Sequence, residues 1–165
     1  MSQKVYLGID TSCYTTSAAL LAEDGSLLAE ARQILSVKPG RCGLQQSEMV
    51  FQHTRNLPRL VEEVFADKDF TLAAIGVSGY PRPLADSYMP AFLAGMSVAR
   101  SLAAAYKVPL EVISRCRNCS SYWFLPPSSL SLSHLLGISL SMASGIRPAK
   151  MALRAYWVAV GRIAQ

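Results

Sequence analysis

The chain has no acidic residue after Ser114, no uncharged apolar run long enough to span a bilayer, no internal repeat and only two histidines. Each absence narrows the field. A membrane-spanning helix needs about 18 or more predominantly apolar residues. The most apolar late stretch, 130–146, is interrupted by Ser131, Ser133, His134, Gly137, Ser139, Ser141 and Ser144. The opening Met1-Ser2-Gln3-Lys4 runs straight into a strand-like segment, without the apolar core and small-residue cleavage site of a secretory signal, so a cytoplasmic location is expected. In that reducing compartment Cys13, Cys42, Cys116 and Cys119 are expected to be free thiols. Cys116-Arg117-Asn118-Cys119 is a lone C-x-x-C followed by a single histidine, His134. A structural zinc site needs four ligands, so neither zinc nor a redox pair is expected there. No Ser/His/Asp or zinc-protease spacing is present, which argues against a peptidase.

A length of 165 residues fits one domain, and 51% hydrophobic residues against 16% charged describe an apolar globular protein with surface to spare for a partner. Its most informative segment is Val5-Tyr6-Leu7-Gly8-Ile9-Asp10-Thr11-Ser12-Cys13-Tyr14-Thr15-Thr16-Ser17-Ala18-Ala19-Leu20-Leu21. Two apolar strand-like runs are joined there by a turn of hydroxyl groups with one carboxylate at its entrance. Backbone N–H groups and hydroxyls converging at a strand end suit phosphate or carboxylate oxygens, and the aspartate could hold a hydrated magnesium ion. The alternative is a turn whose hydroxyls satisfy their own backbone. The residues alone leave both open.

Val5 to Ile9 and Ser17 to Ala22 read as a strand pair, and Asp24-Gly25 marks a turn into a third strand, Leu27 to Leu35. Ser47 is a candidate N-cap for a helix to about Ala66, with Val50, Leu57, Leu60, Val61 and Val64 as its apolar stripe and Pro58 expected to bend it. A strand, Ala73 to Ser78, precedes a loop from Gly79 to Ser87, where Asp86 or Ser87 is the expected cap of a second helix. Along that helix Ala91, Gly95, Ala99 and Ala103 form a ridge of small side chains that allows close approach. Val108 to Ile113 is the last strand. The order β-β-β-α-β-α-β predicts an α/β fold of the ribonuclease-H type with a mixed sheet. Through Ser114 there are ten Lys and Arg against all eleven acidic residues, whereas six basic residues and no acidic one follow. The division expected is therefore a lobe over 1–114 and a divergent basic, Ser/Leu-rich tail over 115–165, with 151–163 as a possible short helix.

Gly8-Ile9-Asp10-Thr11-Ser12-Cys13 resembles the Gly-Ile-Glu-Thr-Ser-Cys opening of the TsaD (Gcp, YgjD) family of tRNA threonylcarbamoyladenosine synthases. Two further segments match in order. His53-Thr54-Arg55-Asn56-Leu57-Pro58-Arg59-Leu60-Val61-Glu62-Glu63 is similar to the family's His-x-x-Asn-hydrophobic-Pro helix, and 87–103 to its Gly-rich-loop helix. The resemblance covers about residues 4–114. It implies an actin/Hsp70-like lobe, half of a two-lobed enzyme with ATP or threonylcarbamoyl-AMP between the lobes, that transfers a threonylcarbamoyl group to N6 of adenosine 37 in tRNAs reading ANN codons. By the same resemblance Asp10, Thr11, Ser12, Cys13, Thr15 and Thr16 would face phosphate. Ser78, Gly79, Arg82 and Ser87 would form a second ligand loop, with Arg82 paired to phosphate or to the substrate carboxylate, while His53 would be packed in place.

The chain also departs from the family pattern. No His-x-Glu-x-His motif follows the last strand, so the family's iron or zinc is not expected, and Tyr14 and Thr15 stand where the family carries acidic residues, which argues against magnesium at the turn. No second lobe is apparent, and a change of reading frame or gene truncation near Ser114 would explain why motif, acidic residues and periodicity stop together. Weak or absent activity in isolation is therefore expected, with no catalytic residue identified. The expected partners are tRNA and a TsaB-like paralogue or a second copy, joined through the N-terminal lobe. A non-catalytic TsaB-like scaffold is one alternative. A sugar or acetate kinase-like lobe is another, although its turn would carry more glycine and a basic residue.

Overall fold

The computed structural model describes residues 3–40, 42–66, 69–82, 84 and 86–114. The expectations for 115–165, including the C-x-x-C segment, lie outside the described residues. The elements are β1 (Gln3–Asp10), β2 (Thr15–Ala22), β3 (Leu27–Ile34), α1 (Gln46–Phe65), β4 (Phe70–Tyr80), α2 (Ala91–Tyr106) and β5 (Leu110–Ser114). They form one mixed sheet in the order β3-β2-β1-β4-β5. β1, β2 and β3 pair antiparallel, and β4 and β5 add in parallel to β1. This is the α/β arrangement read from the sequence. Parallel addition brings the carboxyl ends of β1, β4 and β5 to one edge, where open α/β sheets take their ligands.

Burial explains why strict alternation is weak in β1 and β2. Val5, Leu7 and Ile9 join Ala18, Leu20, Ile75 and Val77 in a core completed by Leu57, Leu60, Val61 and Val64 of α1 and Ala99 and Ala103 of α2. On the other face Tyr6, Ala19, Leu21 and Ala74 are buried as well. A strand covered on both faces reads as a continuous apolar run.

Several boundaries differ from expectation for local reasons. The β2–β3 turn is closed by Asp24, whose carboxylate accepts from both the N–H and the hydroxyl of Ser26, while Gly25 takes φ 87°. Those bonds, the hydroxyl first, hold the Asp24 carboxyl below the usual carboxylate range. α1 starts at Gln46, so Ser47 lies inside its first turn and no side chain caps it. Its C-terminal end, at Phe65, lies where the sequence placed it, with Pro58 inside the helix. Pro58 and Thr54 both face solvent, so the carbonyl that loses its partner can bond water. α2 begins at Ala91 behind Pro90, with no side-chain cap from Asp86 or Ser87. Ser87 is used instead inside the loop, where its hydroxyl accepts from Arg82 N–H at 3.0 Å. α2 ends on Lys107 in the left-handed region, with its N–H on Ala103 O.

Candidate functional site

The turn between β1 and β2 lies at the ligand edge of the sheet, and its side chains are bonded chiefly inward. Asp10, at the end of β1, is fully buried. One carboxylate oxygen accepts from Ser12 N–H at 3.2 Å and the other from the Ser12 hydroxyl at 3.0 Å. The Thr11 hydroxyl donates to Ala91 O at 2.9 Å and accepts from Gly95 N–H at 3.2 Å. These two backbone groups are natural i, i+4 partners in a helix, so the threonine is inserted into the first turn of α2 and fixes that helix to the end of β1. A methyl group on Gly95 would stand 2.8 Å from the Thr11 Oγ1, which is why this ridge position has no side chain. Thr11 N–H also lies 3.5 Å from the hydroxyl of buried Ser78, which couples the turn to β4.

His53 ties the turn to α1. Its Nε2 lies 2.9 Å from Cys13 O and its Nδ1 2.8 Å from the Thr16 hydroxyl. A carbonyl can only accept, so Nε2 carries the proton and, in the neutral ring, Nδ1 accepts from Thr16. Both His53 and Thr16 are fully buried. Burial pushes the imidazole pKa below its ordinary 6.5, against smaller raising effects from the Cys13 carbonyl and the Asp10 charge. A depressed histidine leaves the unfolded chain holding more protons below pH 6.5. His53 therefore contributes stability that is complete above that pH and is lost as pH falls from 6.5 through the folded pKa. Denaturant unfolding from pH 7.5 to 5 should show this acid-side loss, and a His53→Gln variant should show a shallower slope over the same window. Equal slopes would contradict the assignment.

The candidate residues thus divide. Thr11, Ser12 and Thr16 have their hydroxyls committed inside the fold, to the Ala91 carbonyl, the Asp10 carboxylate and His53 Nδ1, and none of them to the turn's own backbone. Cys13, Tyr14 and Thr15 remain toward solvent: the Cys13 thiol is free and exposed, Tyr14 is 40% exposed, and among the described residues the half-buried Thr15 hydroxyl has no partner. In the second loop, Ser78 is buried on β4 and faces Thr11. Gly79 is a strand residue, because β4 continues to Tyr80, and a methyl group there would collide with Val112 at 2.2 Å. Its role is close strand packing. Arg82 is exposed, and Ser87 bonds its backbone. Ser78 is thus joined to the turn directly, whereas Arg82 and Ser87 are placed on the following loop without a bond to it. Contacts not legible in the sequence include the Thr11 insertion into α2, the Thr16–His53 bond and the acceptance of Leu44 N–H by the Tyr14 hydroxyl at 3.4 Å. The only signal for the first was Gly95 within the small-residue ridge. Among the described residues no three His, Cys, Asp or Glu side chains converge as metal ligands. Nor is any described helix long and apolar enough to cross a membrane.

No family model matches the chain. Among individual proteins, it is 29% identical over 117 residues to a probable mitochondrial tRNA N6-adenosine threonylcarbamoyltransferase of Caenorhabditis elegans, covering 67% of this chain and 26% of that protein. Over about two thirds of its length the chain is similar to proteins named as tRNA N6-adenosine threonylcarbamoyltransferases (TsaD/Gcp). A tRNA N6-adenosine threonylcarbamoyltransferase of Methanopyrus kandleri is 24% identical over 112 residues, covering 68% of this chain and 32% of that enzyme. The chain thus spans between a quarter and a third of the length of these transferases. Among solved structures, YeaZ from Pseudomonas aeruginosa superposes with a TM-score of 0.48 at 19% identity, over 67% of this chain and 43% of that one.

Proposed function

We propose that the chain is a lobe of the threonylcarbamoyl-transfer machinery, acting in N6-threonylcarbamoyladenosine formation on tRNA from a cytoplasmic location. The observation that carries this reading is the sequence relation to threonylcarbamoyltransferases over two thirds of the chain. The placement of the matching turn at the carboxyl ends of β1 and β4 agrees with it.

On this reading the substrate is ATP or threonylcarbamoyl-AMP, and its phosphate meets the outward part of the turn. The inward hydroxyls of Thr11, Ser12 and Thr16 do not suit direct anion contact, and the buried Asp10 carboxylate would repel a phosphate. Residues 13–15 offer backbone N–H groups and the Thr15 hydroxyl, while Arg82 offers an exposed charge from the second loop. The inward bonds keep this surface in one shape before the ligand arrives. Transfer from an adenylate needs no protein nucleophile, so positioning and charge stabilisation are the contributions asked of the chain. The partner is a TsaB-like subunit or a second copy, and the exposed Phe51, Tyr88 and Leu93 beside α1 and α2 support such an association.

The test is to mix the purified chain with threonylcarbamoyl-AMP and tRNA, with and without a TsaB-like subunit, and to measure modified adenosine by mass spectrometry alongside gel filtration. Weak or no product from the chain alone, together with co-elution with the subunit, is expected. Robust transfer without a second subunit would overturn the partner-dependent reading, and neither transfer nor co-elution would overturn the proposal itself.

A further inference from the structure

We propose that a pocket between the end of β3 and α1 binds the phosphate group of a small phosphorylated molecule. The pocket has a volume of about 320 Å³ and is lined by Gln33, Ile34, Ser36, Gln52, Arg55, Asn56 and Arg59, a size suited to a small ligand. It shares no residue with the Asp10–Thr16 turn or the 78–87 loop. Four of its residues, Gln52, Arg55, Asn56 and Arg59, stand at i, i+3, i+4 and i+7 on α1 and so form one face of the helix.

Three observations point to an anion. Arg55 and Arg59 stand one turn apart on the same face of α1 and bring two guanidinium groups to one wall of the pocket, although Glu62 and Glu63 follow Arg59 by a turn. Among the described residues neither is paired with a carboxylate: Arg55 lies over the Phe51 ring at 5.9 Å, and Arg59 Nη2 donates to the neutral Gln33 Oε1 at 2.9 Å. The nearby acid Glu48 is bonded to Gln52 Nε2. Asn56 is only 9% exposed, lines the pocket, and has no hydrogen-bond partner for its carboxamide among the described residues. Its carboxamide reaches the solvent of the pocket, where its N–H groups can donate to a ligand oxygen.

The walls are already fixed. Gln52 clasps the Ser36 backbone, with its Oε1 accepting from Ser36 N–H at 2.8 Å and its Nε2 donating to Ser36 O at 2.9 Å. Gln33 donates to Ile34 O while it holds Arg59. These glutamines position the site, and Arg55, Arg59 and Asn56 are left to face the ligand. Two guanidinium groups match the charge of a phosphate monoester and can meet its oxygens in bidentate fashion.

The test is titration of the full chain with inorganic phosphate at constant ionic strength, followed residue by residue in amide NMR spectra. Saturable shifts at Gln33, Ser36, Asn56 and Arg59, with a Kd of about 1 mM, are expected. Asn56→Asp, which keeps the shape and adds a negative charge, and Arg55→Gln, which alters an exposed side chain, should each weaken binding about tenfold or more. Arg100→Gln removes an equal charge from exposed α2 and should leave it unchanged. A short RNA oligonucleotide binding the pocket better than phosphate would replace the small-molecule reading with a nucleic-acid backbone. Unsaturable shifts, shifts confined to 13–15, or variant affinities within twofold of the parent would overturn the proposal. Because these readouts lie apart from the turn, the outcome is independent of the function proposed above.

Discussion

His53→Leu is expected to destabilise the fold by about 3 kcal/mol, the effect of removing two hydrogen bonds and leaving a buried hydroxyl without a partner. Thr16 is fully buried and its hydroxyl has His53 Nδ1 at 2.8 Å, so it cannot recruit water without opening the sheet edge. The Cys13 carbonyl sits beside an exposed residue and can be rehydrated, which keeps the loss nearer to one full desolvation than two. His53→Gln keeps a donor for Cys13 and should cost about half as much. Equilibrium urea unfolding at pH 7.5, where the ring is neutral, is the measurement. A loss below about 1 kcal/mol for His53→Leu would mean that the histidine merely fills space.

Gly95→Ala should destabilise by about 1 to 2 kcal/mol, although alanine is the better helix former by about 1 kcal/mol. The sign depends on whether Thr11 can give way. The new methyl would meet Oγ1 at 2.8 Å and Cγ2 at 3.4 Å, and the Thr11 hydroxyl is held from two sides by Ala91 O and Gly95 N–H. Thr11 therefore has no free direction in which to move. In a Thr11→Ala background the clash with the hydroxyl is removed and only Ile9 Cγ2 at 3.4 Å remains, so the same Gly95→Ala change is expected to be near neutral or stabilising by up to about 1 kcal/mol. A double-mutant cycle by urea unfolding reads this reversal directly. Additive effects within about 0.5 kcal/mol would show that the inserted hydroxyl does not couple α2 to the turn.

These two positions show what the sequence could convey. The order of strands and helices was legible, because hydrophobic periodicity, the Asp24-Gly25 turn and the small-residue ridge are local signals. Helix starts were not: Ser47 and Asp86 are good caps in isolation, but α1 is entered through Gln45 and α2 through Pro90, with tertiary packing overriding the local preference. The Asp10–Thr16 turn was recognisable as polar and placed at a strand end. The Ser12 hydroxyl turns to Asp10, two residues away, but the directions of the Thr11 and Thr16 hydroxyls were not legible, because they depend on His53, Ala91 and Gly95, which lie 37 to 84 residues away in the chain. Gly79 was misread as part of a loop for the same reason, since only β5 reveals that Val112 demands a residue without a side chain there. The arginine pair of α1 acquires a meaning only from β3, which supplies the opposite wall.

The claim on which the functional reading rests is that inward bonds preform the turn so that residues 13–15 face a nucleotide phosphate. Titration of the chain with ATP, followed by amide shifts of the turn together with the ring resonances of His53, tests it most directly. The account predicts saturable shifts at Cys13, Tyr14, Thr15 and Arg82, with His53 remaining neutral and protonated on Nε2. An unperturbed turn at saturating nucleotide, or shifts that appear only as His53 loses its bonds to Cys13 and Thr16, would contradict it.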